Sequence, residues 1–308
     1  MGILRAVDRF WLAEMPAERL AMVRILVGIY AVIFLAVRTP HLMSYADYAS
    51  NFFQPVGLAT LLDAPLPAWL AKGLVVVTLL LSVTFLTGFR FRITGPLFAA
   101  VQLWVLTYSN SFGKILHTDN MLVVHVIALG LAPAADALSL DSRRRGTVPG
   151  PSGRYGWAVR LMCLLCIGAY LLAGVAKVRN SGMAFIVGDT LRNYVAFDNV
   201  RKIELGSIYS PLGAALLPYG ALFSVLAALS VVLELAAPLA LVHRRIAAVW
   251  AAGIWGFHVG VLALMAIAFP YPLSGVAFAP LFRVDRLLRW KPVHRLHVRL
   301  SRPASGAG

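Results

Sequence analysis

The chain has 308 residues, of which 60% are hydrophobic and 13% charged, with a mean hydropathy of +0.78 and a formal net charge of +15. A soluble domain is nearer one quarter charged, so this composition excludes a water-soluble globule and points to an integral membrane protein. The basic excess lies in short loops and the tail, where the positive-inside rule and anionic headgroups account for it, and no nucleic-acid partner is expected.

Taken in order, the sequence predicts an all-α, polytopic transmembrane bundle of about eight membrane segments plus an interfacial or re-entrant helix. A cytoplasmic N-terminal arm covers residues 1–19; its mix of Arg5, Arg9, Asp8, Glu14 and Glu18 does not read as a signal peptide, and the first helix is expected to be retained. Apolar runs follow at about 20–37 (with Arg24), 68–87, 93–109 (with Pro96), 120–137, 157–177, 216–243 (with Glu234) and 246–269 (with His258). Each long run matches the ~20 residues needed to cross a bilayer. An eighth, about 273–282, is short and broken by Pro272 and Pro280, so it crosses at a tilt or re-enters. The transmembrane domain spans 20–285, and a basic cytoplasmic tail covers 286–308. Cys163 and Cys166 sit in one apolar run at helical i, i+3 spacing and read as packing residues.

Loop charges set the orientation. Lys and Arg concentrate in the N-terminal arm, at Arg90 and Arg92, at Arg143–Arg145 and Arg154, at Arg244 and Arg245, and in the tail. The alternation places both termini in the cytoplasm of a cell whose inner membrane holds the protein. One loop breaks the pattern. Residues 178–210 face outward yet carry Arg179, Arg192, Arg201 and Lys202. Within it, Gly188-Asp189-Thr190 reads as a cap opening a helix that lies on the outer interface.

Two sets of residues carry chemistry. The outer set joins Lys177, at the end of the fifth run, to His117, Asp119 and Asn120 at the start of the fourth. These two helices are consecutive and antiparallel, which brings their outer ends together. A lysine at the edge of hydrocarbon either snorkels as an anchor or, when desolvated, serves as a base. Thr118, Asp119 and Asn120 also suit a helix N-cap. The deeper set is Glu234, His258 and His125. An ionised glutamate inside a bilayer must be paired or face a cavity, with His258 or Arg24 as candidate partners, unless it makes a structural interhelix hydrogen bond. The two histidines lack metal-ligand spacing, and no metal is expected.

In order and spacing, several motifs resemble one family. They are Arg24-x-x-x-Gly28, Gly113-Lys114-x-x-His117-Thr118-Asp119-Asn120, Ser139-Leu-Asp141, Tyr170-Leu-x-Ala-Gly174-x-x-Lys177, Leu233-Glu234-x-x-x-Pro238 and the late His258. Together they resemble the horizontally transferred transmembrane (HTTM) domain, the membrane part of vitamin K-dependent gamma-glutamyl carboxylase and its bacterial relatives. The resemblance covers about residues 10–285. It implies Lys177 as the base that deprotonates a reduced, vitamin K-like quinone; the outer and deeper sets above add His117 as its support and Asp119, Asn120, Glu234 and His258 as candidate substrate-binding or supporting residues. It further implies quinol-linked oxygenation, epoxidation or carboxylation-type chemistry and a membrane or secreted protein partner. Where the carboxylase has two adjacent lysines, this chain has Ala176-Lys177. A non-catalytic maturation partner, small-molecule binder or carrier, or a DoxX-like redox-associated subunit, is the alternative.

Overall fold

The structure, a computed structural model, describes residues 8–113 and 119–289. Its elements are helical, and the one β-bridge among the described residues joins Met15 to Ser152. In chain order the helices are α1 (Ala17–Ser44), α2 (Ala68–Thr87), α3 (Phe91–Asn110), α4 (Asn120–Gly130), α5 (Leu140–Arg145), α6 (Gly156–Ser181), α7 (Ala184–Val187), α8 (Thr190–Glu204), α9 (Pro211–Leu216), α10 (Gly220–Leu235), α11 (Arg244–Met265) and α12 (Pro270–Leu273). Four segments are long and apolar enough to cross a membrane: Ala17–Asp47, Ala68–Thr87, Gly153–Ser181 and Arg244–Met265. This is the architecture of a helical membrane protein.

Where helices and apolar runs differ, proline accounts for most of the difference. The run at 120–137 was expected to be one helix, but α4 stops at Gly130 after 11 residues. Pro133 offers no N–H for the next helical bond, and Ala132 closes a tight turn onto Leu129 instead. The run at 216–243 is likewise divided. Pro218 separates α9 from α10, and Pro238 sits in the 3₁₀ turn Ala237–Leu241 that follows α10. Glu234, expected two thirds along a helix, therefore lies in the last turn of a 16-residue one. Pro40 has the opposite outcome. It is absorbed inside α1, where Thr39 Oγ1 donates to the Leu35 carbonyl at 2.7 Å. The run at 273–282 is broken as expected, into α12 and the 3₁₀ segment Val276–Leu281.

The chain forms two compact units. The second is Cys163–Leu281, and the first takes in the described residues on either side of it. In the first unit α1 packs on α2 and α4, α2 on α3, and α3 on α4. Gly95 and Gly130 let α3 and α4 touch, since a Cβ on Gly130 would lie 2.7 Å from the Gly95 carbonyl oxygen. Ser139-Leu-Asp141 serves as a clip. Ser139 forms a capping box with Ser142, and the Asp141 carboxylate accepts the Arg90 and Phe91 amides at 2.9 and 2.8 Å, satisfying the first N–H groups of α3. The fully buried Arg24 donates to the Leu138 carbonyl at 2.6 Å and lies over the Phe91 ring.

In the second unit α11 packs on α8, α9 and α10, and α10 carries α7 and α8. The last carbonyls of α11, which no helical N–H can reach, are taken by side chains. Ser210 donates to Ala263, Asn199 to Leu264 at 3.1 Å, and Lys202 to Met265. This polar clasp occupies the buried face of α8, with Asp198 and Asn199 both buried. Its apolar residues point outward: Tyr194, Phe197, Val200 and Ile203 are all more than half exposed. A helix that is polar inside and apolar outside suits a lipid interface.

Candidate functional site

The sequence singles out Tyr170, Gly174 and Lys177, which α6 places at i, i+4 and i+7, on one helical face. Each meets a different feature of the second unit. The Lys177 ammonium donates to Glu234 Oε1 at 2.8 Å and to Ser230 Oγ at 3.3 Å. Ser230 and Glu234 are one turn apart on α10, so they form a two-pronged acceptor. Lys177 also lies over the rings of Phe185 and Phe257, at 5.2 and 5.3 Å from their centroids. Phe185 reaches this position because the chain turns back after α6 at Gly182, which has φ +54°, and α7 packs Phe185 onto Ala227 and Val231 of α10.

Gly174 makes the pairing possible. A Cβ there would lie 2.9 Å from the Glu234 Cβ and 3.1 Å from the Leu235 amide nitrogen. The missing side chain lets α6 and the end of α10 approach closely enough for the ion pair. On α11, Gly253 similarly leaves room for Leu233, whose carbonyl accepts from Trp250 Nε1 at 2.9 Å. The register of Glu234 is thus set by glycines on both neighbouring helices.

The pair is unequally covered. Glu234 is 3% exposed, while the Lys177 side chain keeps 22%. Oε2 of Glu234 is buried and has no hydrogen-bond partner among the described residues. The site therefore holds one satisfied and one unsatisfied carboxylate oxygen. Together the lysine and the carboxylate can accept one proton from a bound acid.

Tyr170 points to a second centre. Its Oη is 2.9 Å from Nε2 of His258, and the rings of Trp250 and Phe278 enclose it. Phe257 and Phe269 flank His258. Nδ1 of His258 is buried without a hydrogen-bond partner among the described residues.

Several sequence expectations are revised. The partner of Glu234 is Lys177, where His258 or Arg24 had been expected; His258 binds Tyr170, and Arg24 binds the Leu138 carbonyl. His117 lies outside the described residues, as does Thr118. Asp119 stands at the N-cap position of α4 but makes no side-chain cap. Its buried carboxylate faces Arg38 at 4.0 Å in the first unit, and Asn120 is exposed. Asp189 has φ +55° and pairs with Arg192 at 3.5 Å without capping α8. Three of the four surplus cations of residues 178–210 also find partners: Arg192 donates to the Leu217 carbonyl, and Arg201 and Lys202 both bind Asp198. His125 is buried in the first unit, with Nε2 3.3 Å from the Met162 carbonyl. No group of three metal-ligating side chains occurs among the described residues, and both cysteines are free and buried. Sequence reasoning left Tyr170, Gly174, Ser230, Phe185 and Phe257 out of the site. The first two were accessible from their spacing to Lys177; the others depend on which helices adjoin.

Comparison of the chain with protein-family models, with curated proteins and with solved structures gave no match.

Proposed function

We propose that this is a multi-pass inner-membrane protein of the HTTM kind, whose Lys177–Glu234 pair takes a proton from a lipid-soluble, vitamin K-like quinol. The observation that carries the proposal is the 2.8 Å ion pair, set among apolar helices, with Glu234 Oε2 left open. In the step envisaged, Lys177 first passes its proton to Glu234, leaving both neutral; the quinol O–H bond then breaks, its electron pair stays on the oxygen, and the proton goes to Lys177, which becomes ammonium beside a neutral Glu234. Deprotonation prepares the ring for oxygenation, epoxidation or carboxylation-type chemistry, as the family resemblance implies. His117 is the proposed supporting residue, and Asp119 and Asn120 are proposed substrate-binding or supporting residues on the strength of their motif alone. The proposed membrane path has eight crossings: the four segments named above, the 20-residue α3, the shorter α4 and α10, and the broken run at about 273–282. Both termini are cytoplasmic, and a membrane or secreted protein is the proposed partner.

The test is quinol oxidation by purified protein under air, with a short-chain reduced naphthoquinone as substrate. Lys177→Ala, Lys177→Arg and Glu234→Gln are each expected to lower the rate at least tenfold. Arginine keeps the charge but gives up no proton near neutral pH. A second reading has its own support, because two acceptors and two aromatic faces hold the ammonium, as in an interhelix lock. Under that reading the protein is a non-catalytic binder or carrier, and Lys177→Arg would match wild type.

A further inference from the structure

Five arginines gather in the first unit around a turn that has no part in the proton transfer just described. Gly88, Phe89 and Arg90 join α2 to α3, and both Gly88 (φ +63°) and Arg90 (φ +45°) lie in the left-handed region. That region is unfavourable for a residue with a side chain, so the conformation of Arg90 has to be held. Asp141 holds it. Its amide donates to the Gly88 carbonyl at 3.2 Å, and its carboxylate accepts the Arg90 and Phe91 amides. The turn and α5 are thereby fastened together.

The fastening gives Phe89 two guanidinium neighbours. The Cζ atoms of Arg90 and Arg144 lie 5.7 and 5.0 Å from its ring centroid. Arg90, Arg92, Arg143 and Arg144 are all exposed, and none of them forms an ion pair among the described residues. The carboxylates nearest in sequence are already engaged: Asp141 by two amides, and Asp136 by Arg145 and Arg154. The fifth guanidinium, that of Arg24, is fully buried beneath the turn. A side chain at Gly88 would collide with its Nη1, and its Nη1 and Nε have no hydrogen-bond partner among the described residues. Like charges gathered in this way repel, and an anion relieves them. Guanidiniums suit a phosphate, whose oxygens accept paired N–H bonds. The surface beside these cations is apolar: Val83 near the end of α2, Ile93 and Leu97 in α3, and Leu140 in α5 are all exposed. A phosphate that carries acyl chains meets both surfaces.

We propose that the turn between α2 and α3, together with α5, is a discrete site for one anionic phospholipid. Arg90, Arg143 and Arg144 take its phosphate around Phe89, and Val83, Ile93 and Leu97 meet its chains. This goes beyond the diffuse attraction of a basic loop for headgroups, because the Asp141 clip and the Phe89 ring fix where the guanidiniums stand. A choline headgroup would add a further cation to the cluster, so a zwitterionic lipid is disfavoured. The site is independent of the quinol reading.

The experiment uses full-length protein, delipidated in detergent, with native mass spectrometry to follow the first lipid bound. The probes are phosphatidylglycerol and phosphatidylcholine with the same acyl chains, and glycerophosphoglycerol, the anionic headgroup without chains, as competitor. Wild type is expected to bind one phosphatidylglycerol about tenfold tighter than phosphatidylcholine, and a large excess of the chainless headgroup should not displace it. Phe89→Leu and Arg144→Lys keep the net charge and should each weaken that binding roughly threefold. Arg144→Gln should weaken it about tenfold. Arg179→Gln removes one charge from the second unit and should bind as wild type does. Equal affinity for the two lipids overturns the proposal. Phe89→Leu and Arg144→Lys both binding as wild type does, or a loss in Arg179→Gln as large as that in Arg144→Gln, also overturns it, since either shows diffuse charge alone. Displacement by the chainless headgroup shows a site for a free phosphodiester and overturns the lipid assignment. If Phe89→Leu fails to fold, Arg144→Lys and the wild-type comparison of the two lipids carry the test.

Discussion

Lys177 and Glu234 show what one ionisable residue costs another inside apolar helices. Removing the ammonium leaves a buried carboxylate uncompensated, and breaking a buried pair from one side costs about 3–5 kcal/mol. Lys177 keeps some exposure, so Lys177→Met is expected near the lower end, about 3 kcal/mol, read as loss of thermal stability in detergent. Adding Glu234→Gln should restore most of that loss, because the carboxamide needs no counter-ion. A double variant no more stable than Lys177→Met would refute the pairing. Gly174→Val tests the same contact through shape. Its side chain has no room against Glu234 and Leu235, and overpacking of this kind costs about 1–3 kcal/mol. Both ionisable residues were legible in the sequence as charges within or beside apolar runs. Their pairing was not, because a single sequence does not say which helices adjoin. Lys177 was grouped with residues 117–120 by chain order, and Glu234 with Arg24 or His258 by depth.

Helix existence was read more reliably than helix length. The apolar run at about 68–87 matches α2, whose ends are fixed by Pro67 before it and by Gly88, with φ +63°, after it. The runs at 120–137 and 216–243 overran because hydropathy averages across Pro133, Pro218 and Pro238, which divide the backbone without lowering apolar content. The interfacial helix was expected from its cap and amphipathic turn, but its polar face has a purpose that spacing does not reveal. Asn199, Lys202 and Ser210 close the carboxyl end of α11. Within that clasp, burial pushes the Asp198 carboxyl up, yet hydrogen bonds and charge from Lys202 and Arg201 outweigh it and hold the group below its ordinary range. The folded value lies under the unfolded one of about 3.9. The stabilisation is therefore complete above that unfolded value and is lost as pH falls through the folded one. Wild-type protein should lose thermal stability on going from pH 5 to pH 3. Asp198→Asn should be less stable than wild type at pH 7 and flatter across that interval. Parallel profiles for the two proteins would show that the clasp draws nothing from this carboxylate.

The proposed orientation of the chain in the bilayer rests on which cations stand exposed and which are already held. Arg143 and Arg144 stand exposed in the loop between α4 and α6, where they can meet anionic headgroups. In residues 178–210, by contrast, Arg192, Arg201 and Lys202 are engaged by Asp189, Asp198 and helix-end carbonyls. Held in this way, these three cations add little to the bias that retains a loop in the cytoplasm, which reduces the one irregularity in the charge pattern to Arg179. The prediction is that residues 178–210 face away from the cytoplasm and residues 146–152 face it. The native thiols make this measurable without a cysteine-free background, since Cys163 and Cys166 are 4% and 1% exposed. In intact cells an impermeant maleimide should label Ser207→Cys and spare Thr147→Cys, and opening the cells should make the latter reactive. The reverse pattern would turn the molecule over and put Lys177 at the cytoplasmic face, against the orientation that the loop charges require.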